Sequence, residues 1–144
     1  METAETAMAD AERMKAIARM EFEQIYSQGR LDLIDQVVGD GYVCHDPALP
    51  EPVLGAEGLR AAVIGFRTAL PDLSFTVDQQ IAENDRVVTA WTATGTHEGE
   101  LFGVAPTGRP VRMVGVDIER FEDGKIVEVW ANWDAFGLHQ QISG

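Results

Sequence analysis

The hydrophobic period of this chain changes once, near Pro71, and that change limits what it can fold into. Before it, apolar residues recur every three or four positions: Met14, Ile17, Ala18, Phe22, Ile25 and Tyr26, and later Leu59, Ala62, Val63, Phe66 and Leu70. Such spacing lines one face of a helix. After it the period is two. Leu73, Phe75 and Val77 begin one strand, and residues 87 to 96 are rich in Val, Thr and Trp, as strands are. Punctuation supports these limits. Gly29 stops a first helix that follows a short disordered start. A short second helix, with Leu31, Ile34, Val37 and Val38, ends at Gly39. A third runs from about 56 to 70, where Pro71 closes it. "YVCHDPALPEPVLG", from Tyr42 to Gly55, carries three prolines and reads as a short strand followed by an irregular loop.

Glu83-Asn84-Asp85 makes a turn, and the stretch from 98 to 110, with Gly99, Gly103, Pro106, Gly108 and Pro110, makes a loop. Strands are expected at 111–121 and 125–133, joined by a hairpin turn at Asp123-Gly124. Helices first and antiparallel strands afterwards define an α+β fold. A length of 144 residues suits a single domain, 1–144, around one core. In the 111–121 strand, Val114, Val116 and Ile118 share one face; Val111, Met113, Gly115, Asp117, Glu119 and Phe121 share the other. Neither face is fully polar, so both are expected to be covered, one by helices and the other by a second subunit of a homodimer.

Charge and motifs exclude several functions. A net charge of −13 repels phosphate backbones and anionic lipid, so neither a nucleic-acid nor a membrane partner is expected. No apolar run approaches the ~20 residues of a membrane span. The acidic start METAETAMADAERMK lacks the apolar region of a secretory signal. A single cysteine, Cys44, allows no internal disulfide and suits a reducing, cytoplasmic location. There is no G-x-G-x-x-G, P-loop or G-x-S-x-G. The histidines, His45, His97 and His139, lack metal-ligand spacing. No metal or other cofactor is therefore expected.

The candidate site residues are few. Cys44 and His45 adjoin in an extended segment, so they point to opposite faces; Cys44 reads as a small buried hydrophobe. His45 lies at a cavity mouth, or else it belongs to a turn before Pro47 that Asp46 caps. His97 either faces the cavity or holds the following loop by a hydrogen bond. Trp91, and Trp130 and Trp133 in "EVWANWD", look like pocket wall. Asp134 is either a further acid or the N-cap of a C-terminal turn. Asp117, alone amid "MVGVDIERF", is costly to bury unless paired or protonated. Either it pairs with Arg86, Arg112 or Arg120, or apolar surroundings raise its pKa toward neutrality, as a general base requires.

Several stretches resemble the SnoaL-like polyketide cyclases: "GTHEGELFGVAPTGRPV" from Gly95, "FEDGKIVEVW" from Phe121, the ending "GLHQQIS", and "YVCHDP" and "ALPDLSF" earlier. The resemblance covers nearly the whole chain. It implies an NTF2-like cone, a curved antiparallel sheet packed on helices around a deep apolar pocket, often dimeric through the sheet. It also implies an aromatic polyketide as ligand, without metal or nucleotide. Family cyclases close the last ring of anthracycline-type polyketides by aldol condensation, with an aspartate on the last strand as base. Matched without gaps that position is Ala131, or Asn132 with one bulge residue, and neither accepts a proton. A family histidine on the preceding strand matches Asp117. The vacant base position favours the branch implicated in hydroxylating such polyketides; the alternative is a cyclase that Asp117 serves as base. In the hydroxylating branch Asp117 deprotonates the substrate and Asn132 hydrogen-bonds an oxygen. His45, Trp91, His97, Trp130 and Trp133 are the expected substrate contacts. A non-catalytic small-ligand-binding module is a third alternative.

Overall fold

The computed structural model describes residues 3–143. Helix α1 spans Ala4–Met20, so the expected disordered start is instead the helix's first turns. Four alanines between residues 4 and 11 favour helix. Thr3 caps it, accepting a hydrogen bond from the Thr6 amide at 3.1 Å, and ion pairs one turn apart, Asp10 with Arg13 and Glu12 with Lys15, decorate its outer face. The helix continues as one widened, π-helical stretch, Glu21–Tyr26. Arg67 locks its end: Nη1 donates to the carbonyls of Tyr26 and Ser27 at 2.9 and 2.8 Å, two acceptors that a helix C-terminus leaves unpaired.

A single 3₁₀ turn, Leu31–Leu33, leads into α2, Ile34–Val37. The second helix is shorter than its sequence suggests, because Val38 and Gly39 already belong to β1 (Val38–His45). Then come β2 (Val53–Leu54), α3 (Gly55–Ala69), β3 (Ser74–Glu83), β4 (Arg86–Thr96), β5 (Pro110–Glu122), β6 (Lys125–Trp133) and α4 (Ala135–Ser143). They form one curved six-stranded sheet in the order β2-β1-β6-β5-β4-β3. The sheet is not antiparallel throughout, since β1 runs parallel to β6. Parallel neighbours need a long crossover, and the whole segment from β2 to β5, α3 included, provides it.

The helices cover one face. Ala18, Ile25, Ile34, Val37, Leu59 and Val63 pack with Val129 and Ile126 in one cluster. Phe22, Leu70, Leu73, Trp91, Met113, Leu138 and Ile142 form another. The α+β order is the one the period change predicts, and the cone is the one the family resemblance implies. On β5 the inward set Val111, Met113, Asp117, Glu119 and Phe121 is buried, while Val114 and Val116 on the outer face are 40% and 44% exposed. Among the described residues no helix is long and apolar enough to cross a membrane.

Candidate active site

A cavity lies between the helices and the concave face of the sheet. Phe22 and Tyr26 from the π-helical stretch, Phe66 from α3, Phe75, Trp91 and Met113 from the strands, and Ala131 and Trp133 from β6 give it an apolar wall. Its enclosed volume is about 70 Å³, below the ~300–1,000 Å³ usual for small-molecule sites. A ligand of several fused rings therefore has to extend through its open mouth.

Asp117 sits on this wall, 6% exposed. The Trp91 indole N–H donates to its Oδ1 at 2.9 Å. Among the described residues no arginine pairs with it: Arg86 pairs with Asp85, and Arg120 with Glu122 and Glu128. Burial pushes its carboxyl up to about 7; the Trp91 hydrogen bond opposes the rise and the Asp46 charge adds to it. A carboxyl with that affinity for protons can take one from a weak acid at neutral pH. The two tryptophans in the wall share a pattern, for the Trp133 indole N–H donates to both oxygens of Asp46 at 3.1 Å. Gly115 makes their approach possible: a Cβ there would lie 2.7 Å from the Trp133 Cβ and inside the Trp91 ring.

Of the expected contacts, Trp91, Trp133 and Asp117 meet in the cavity. Four residues do not. Asn132 is exposed and pairs with Val116 in the sheet, so it faces away from Asp117. Trp130 shares that outer face, where the Arg86 guanidinium lies 5.7 Å from its ring. His45 stacks on Trp130 and pairs with Glu128 at 2.8 Å. Strand alternation explains all three: Ala131 and Trp133 of β6 and Cys44 of β1 enter the cavity, so Trp130, Asn132 and His45 must leave it. His45, Trp130 and Asn132 do adjoin, but in a shallow outer cleft beside Pro47, Pro50 and Pro52. His97 is fully buried and binds its own loop; its Nδ1 accepts from the Thr107 amide at 3.2 Å. Asp46 caps the Ala48 amide and Asp134 the Gly137 amide, both as turn residues do. Cys44 faces the cavity, opposite to His45, and burial holds its thiol protonated.

Two buried carboxyls escape a sequence reading centred on Asp117. Glu21 is 4% exposed, lines the cavity, and is pushed up to about 8 by burial and then by the charge of Asp117. Glu119, two residues along β5, accepts from Thr89 Oγ1 at 3.1 Å; burial, followed by the charges of Asp117 and Glu21, raises its pKa far above the ordinary value. The signal for Glu21 was present. It stands three residues beyond Ala18 and four beyond Ile17, in the middle of the apolar stripe. Among the described residues no His, Cys, Asp and Glu side chains cluster so as to hold a metal ion.

A curved sheet on helices, enclosing an apolar pocket with the buried Asp117 carboxyl on its wall, defines an α+β cone of NTF2-like class. Residues 16–142 match the family model of the SnoaL-like polyketide cyclases, and the chain belongs to that family. Solved structures agree. A provisionally assigned polyketide cyclase from Acidithiobacillus ferrooxidans is 28% identical, with 91% of this chain and 94% of that one covered and a TM-score of 0.83. AclR from Streptomyces galilaeus, provisionally described as a hydroxylase, is 30% identical over 92% and 82% of the two chains, with a TM-score of 0.79. IdmH from Streptomyces antibioticus, also provisionally a polyketide cyclase, is 27% identical over 91% and 99%, at 0.76. No curated protein matches the sequence.

Proposed function

We propose that this protein is a tailoring enzyme of aromatic polyketides in which Asp117 removes a proton from a carbon next to a substrate carbonyl. The observation that carries this is a buried carboxyl, free of cationic partners and held by Trp91, on the wall of an apolar cavity. Asp117 takes the proton, the C–H electron pair becomes the enolate double bond, and the carbonyl oxygen gains the charge. Ring closure follows when the enolate carbon attacks a second carbonyl of the same molecule. The resulting alkoxide takes up a proton, and the Asp117 proton is returned to solvent or product. This aldol reading asks of the protein a base and a shaped pocket. Ala131 fills the wall beside Asp117, its partner in the sheet register, so the base has moved one strand from the family position.

Hydroxylation is the second reading, favoured by the 30% identity to AclR. The substrate anion would give its electron pair to dioxygen, forming a hydroperoxide. A two-electron reductant would then cleave the O–O bond, leaving a hydroxyl and water. Asn132, the expected hydrogen-bond donor to oxygen, lies on the outer face, which shifts the balance to the aldol reaction. We further propose that the exposed outer face around Val114 and Val116 pairs with a second copy. Incubation with a tri- or tetracyclic polyketide intermediate under oxygen and under argon separates the readings. Ring closure in both gases supports the aldol reaction. Mass gain only under oxygen supports hydroxylation. Binding without turnover overturns both and leaves a ligand-binding module.

A further inference from the structure

We infer that Glu21 is the second half of the site: a neutral carboxylic acid that donates its proton to the substrate carbonyl oxygen while Asp117 attacks the adjacent C–H bond. This rests on the reading of Asp117 as base and adds the substrate class it implies, an uncharged ketone or ester joined to an aromatic ring. The geometry begins with the π-helical stretch. Such widened turns are rare and favour functional sites; this one opens at Glu21 and brings Glu21, Phe22 and Tyr26 to the same cavity as Asp117. Glu21 Oε2 is buried with no hydrogen-bond partner among the described residues. A buried carboxyl left unsatisfied costs roughly 1–3 kcal/mol or more, and packing alone gives no reason to keep one in an apolar stripe where leucine would fit.

The groups facing it decide its protonation. Asp117 on β5 and Glu119 beyond it, Asp46 and Cys44 from the end of β1 and its turn, and the phenols of Tyr26 and Tyr42 all surround this region. None is a cation. Two carboxylates lining one apolar cavity repel, so ionising one disfavours ionising the other. The Trp91 N–H stabilises a charge on Asp117, whereas Glu21 Oε2 has no donor among the described residues to do so, which sets Asp117 as the carboxylate base against Glu21 as the carboxylic acid. In the reaction, the C–H pair forms the new C=C bond and its proton goes to Asp117. The carbonyl pair moves to oxygen, where Glu21 supplies a hydrogen bond or its proton. When the enol carbon attacks the second carbonyl, the enol O–H proton returns to Glu21 as the first carbonyl re-forms, and Asp117 gives its proton to the new alkoxide, so both groups end as they began and no electrons are gained or lost.

Anion binding tests this without turnover. Asp117→Asn imitates the protonated base and removes its repulsion, and 4-nitrophenolate stands in for the enolate oxyanion. Titration should show binding roughly ten- to a hundredfold tighter in Asp117→Asn than in Asp117→Asn/Glu21→Leu, the range expected for losing one hydrogen bond to a charged oxygen. In Asp117→Asn the affinity should also fall as pH rises past the value at which Glu21 ionises. Equal affinity in the two variants overturns the proposal. If the leucine variant does not fold, as circular dichroism would show, Asp117→Asn/Glu21→Gln decides. It keeps a donor that does not titrate, so its binding should lose that pH dependence. A retained dependence also overturns the proposal. Normal turnover by Asp117→Asn would remove the base reading while leaving this anion-binding result to stand or fall by itself.

Discussion

Asp117→Asn should abolish activity and at the same time stabilise the protein above neutral pH. In the folded chain the carboxyl is pushed from its ordinary 3.8 to about 7, chiefly by burial. Between those values the unfolded chain has released the proton and the folded chain still holds it. The native state binds more protons, so its stability falls as pH rises and the loss is complete above about 7. At about 1.4 kcal/mol per pH unit the rise is worth about 4 kcal/mol, and with the group 6% exposed solvent screening offsets little of it. Asparagine has no proton to lose and still offers Trp91 an oxygen acceptor, so it escapes this penalty. Urea unfolding at pH 5 and pH 8 measures it. Wild type should weaken markedly between the two, and the variant less, with a gap of up to about 4 kcal/mol at pH 8, or roughly 10 °C in Tm. Glu21 shifts in the same direction, so some pH dependence remains in the variant. Parallel stability curves for the two proteins, or a variant less stable at pH 8, would refute the claim that an unpaired carboxyl is held in an apolar site. Turnover should fall by ~10²–10⁴-fold in the same variant.

Gly115→Ala places a Cβ against Trp91 and Trp133; it should cost about 1–3 kcal/mol of stability and reduce turnover, both lost effects if the rings merely slide aside. Asn132→Ala, exposed on the outer face, should leave unfolding within about 0.5 kcal/mol of wild type and turnover intact, and an inactive variant would return Asn132 to the site. His97→Ala removes the acceptor of the Thr107 amide and should lower thermal stability by about 1–3 kcal/mol; an unchanged melting curve would show that the loop holds itself. Val116→Lys, at an exposed apolar position, should convert a dimer to a monomer by light scattering, and wild type that is monomeric at micromolar concentration would defeat the covered-face reading.

The sequence by itself determined the elements, because hydrophobic period and turn residues are local properties. The period change near Pro71, the Asp123-Gly124 turn and the β6 boundaries at 125 and 133 all stand in the structure. By strand alternation it also put Asp117 on one face of β5 with Met113 and Phe121, but it did not decide which face lines the pocket. What it left undecided was the face presented by β6. A one-residue difference in register exchanges Ala131 for Asn132 and carries Trp130 with it, and only the pairing of Asp117 with Ala131 fixes the choice. Tertiary structure alone decided that His97 serves its loop, since Thr107 is ten residues away and brought near by the fold. It also decided that Glu21 and Asp117 share one cavity. They are 96 positions apart in the chain, and a pKa is set by the surroundings that folding assembles: the apolar wall contributed by two helical segments and six strands, with no cation among the described residues that line it.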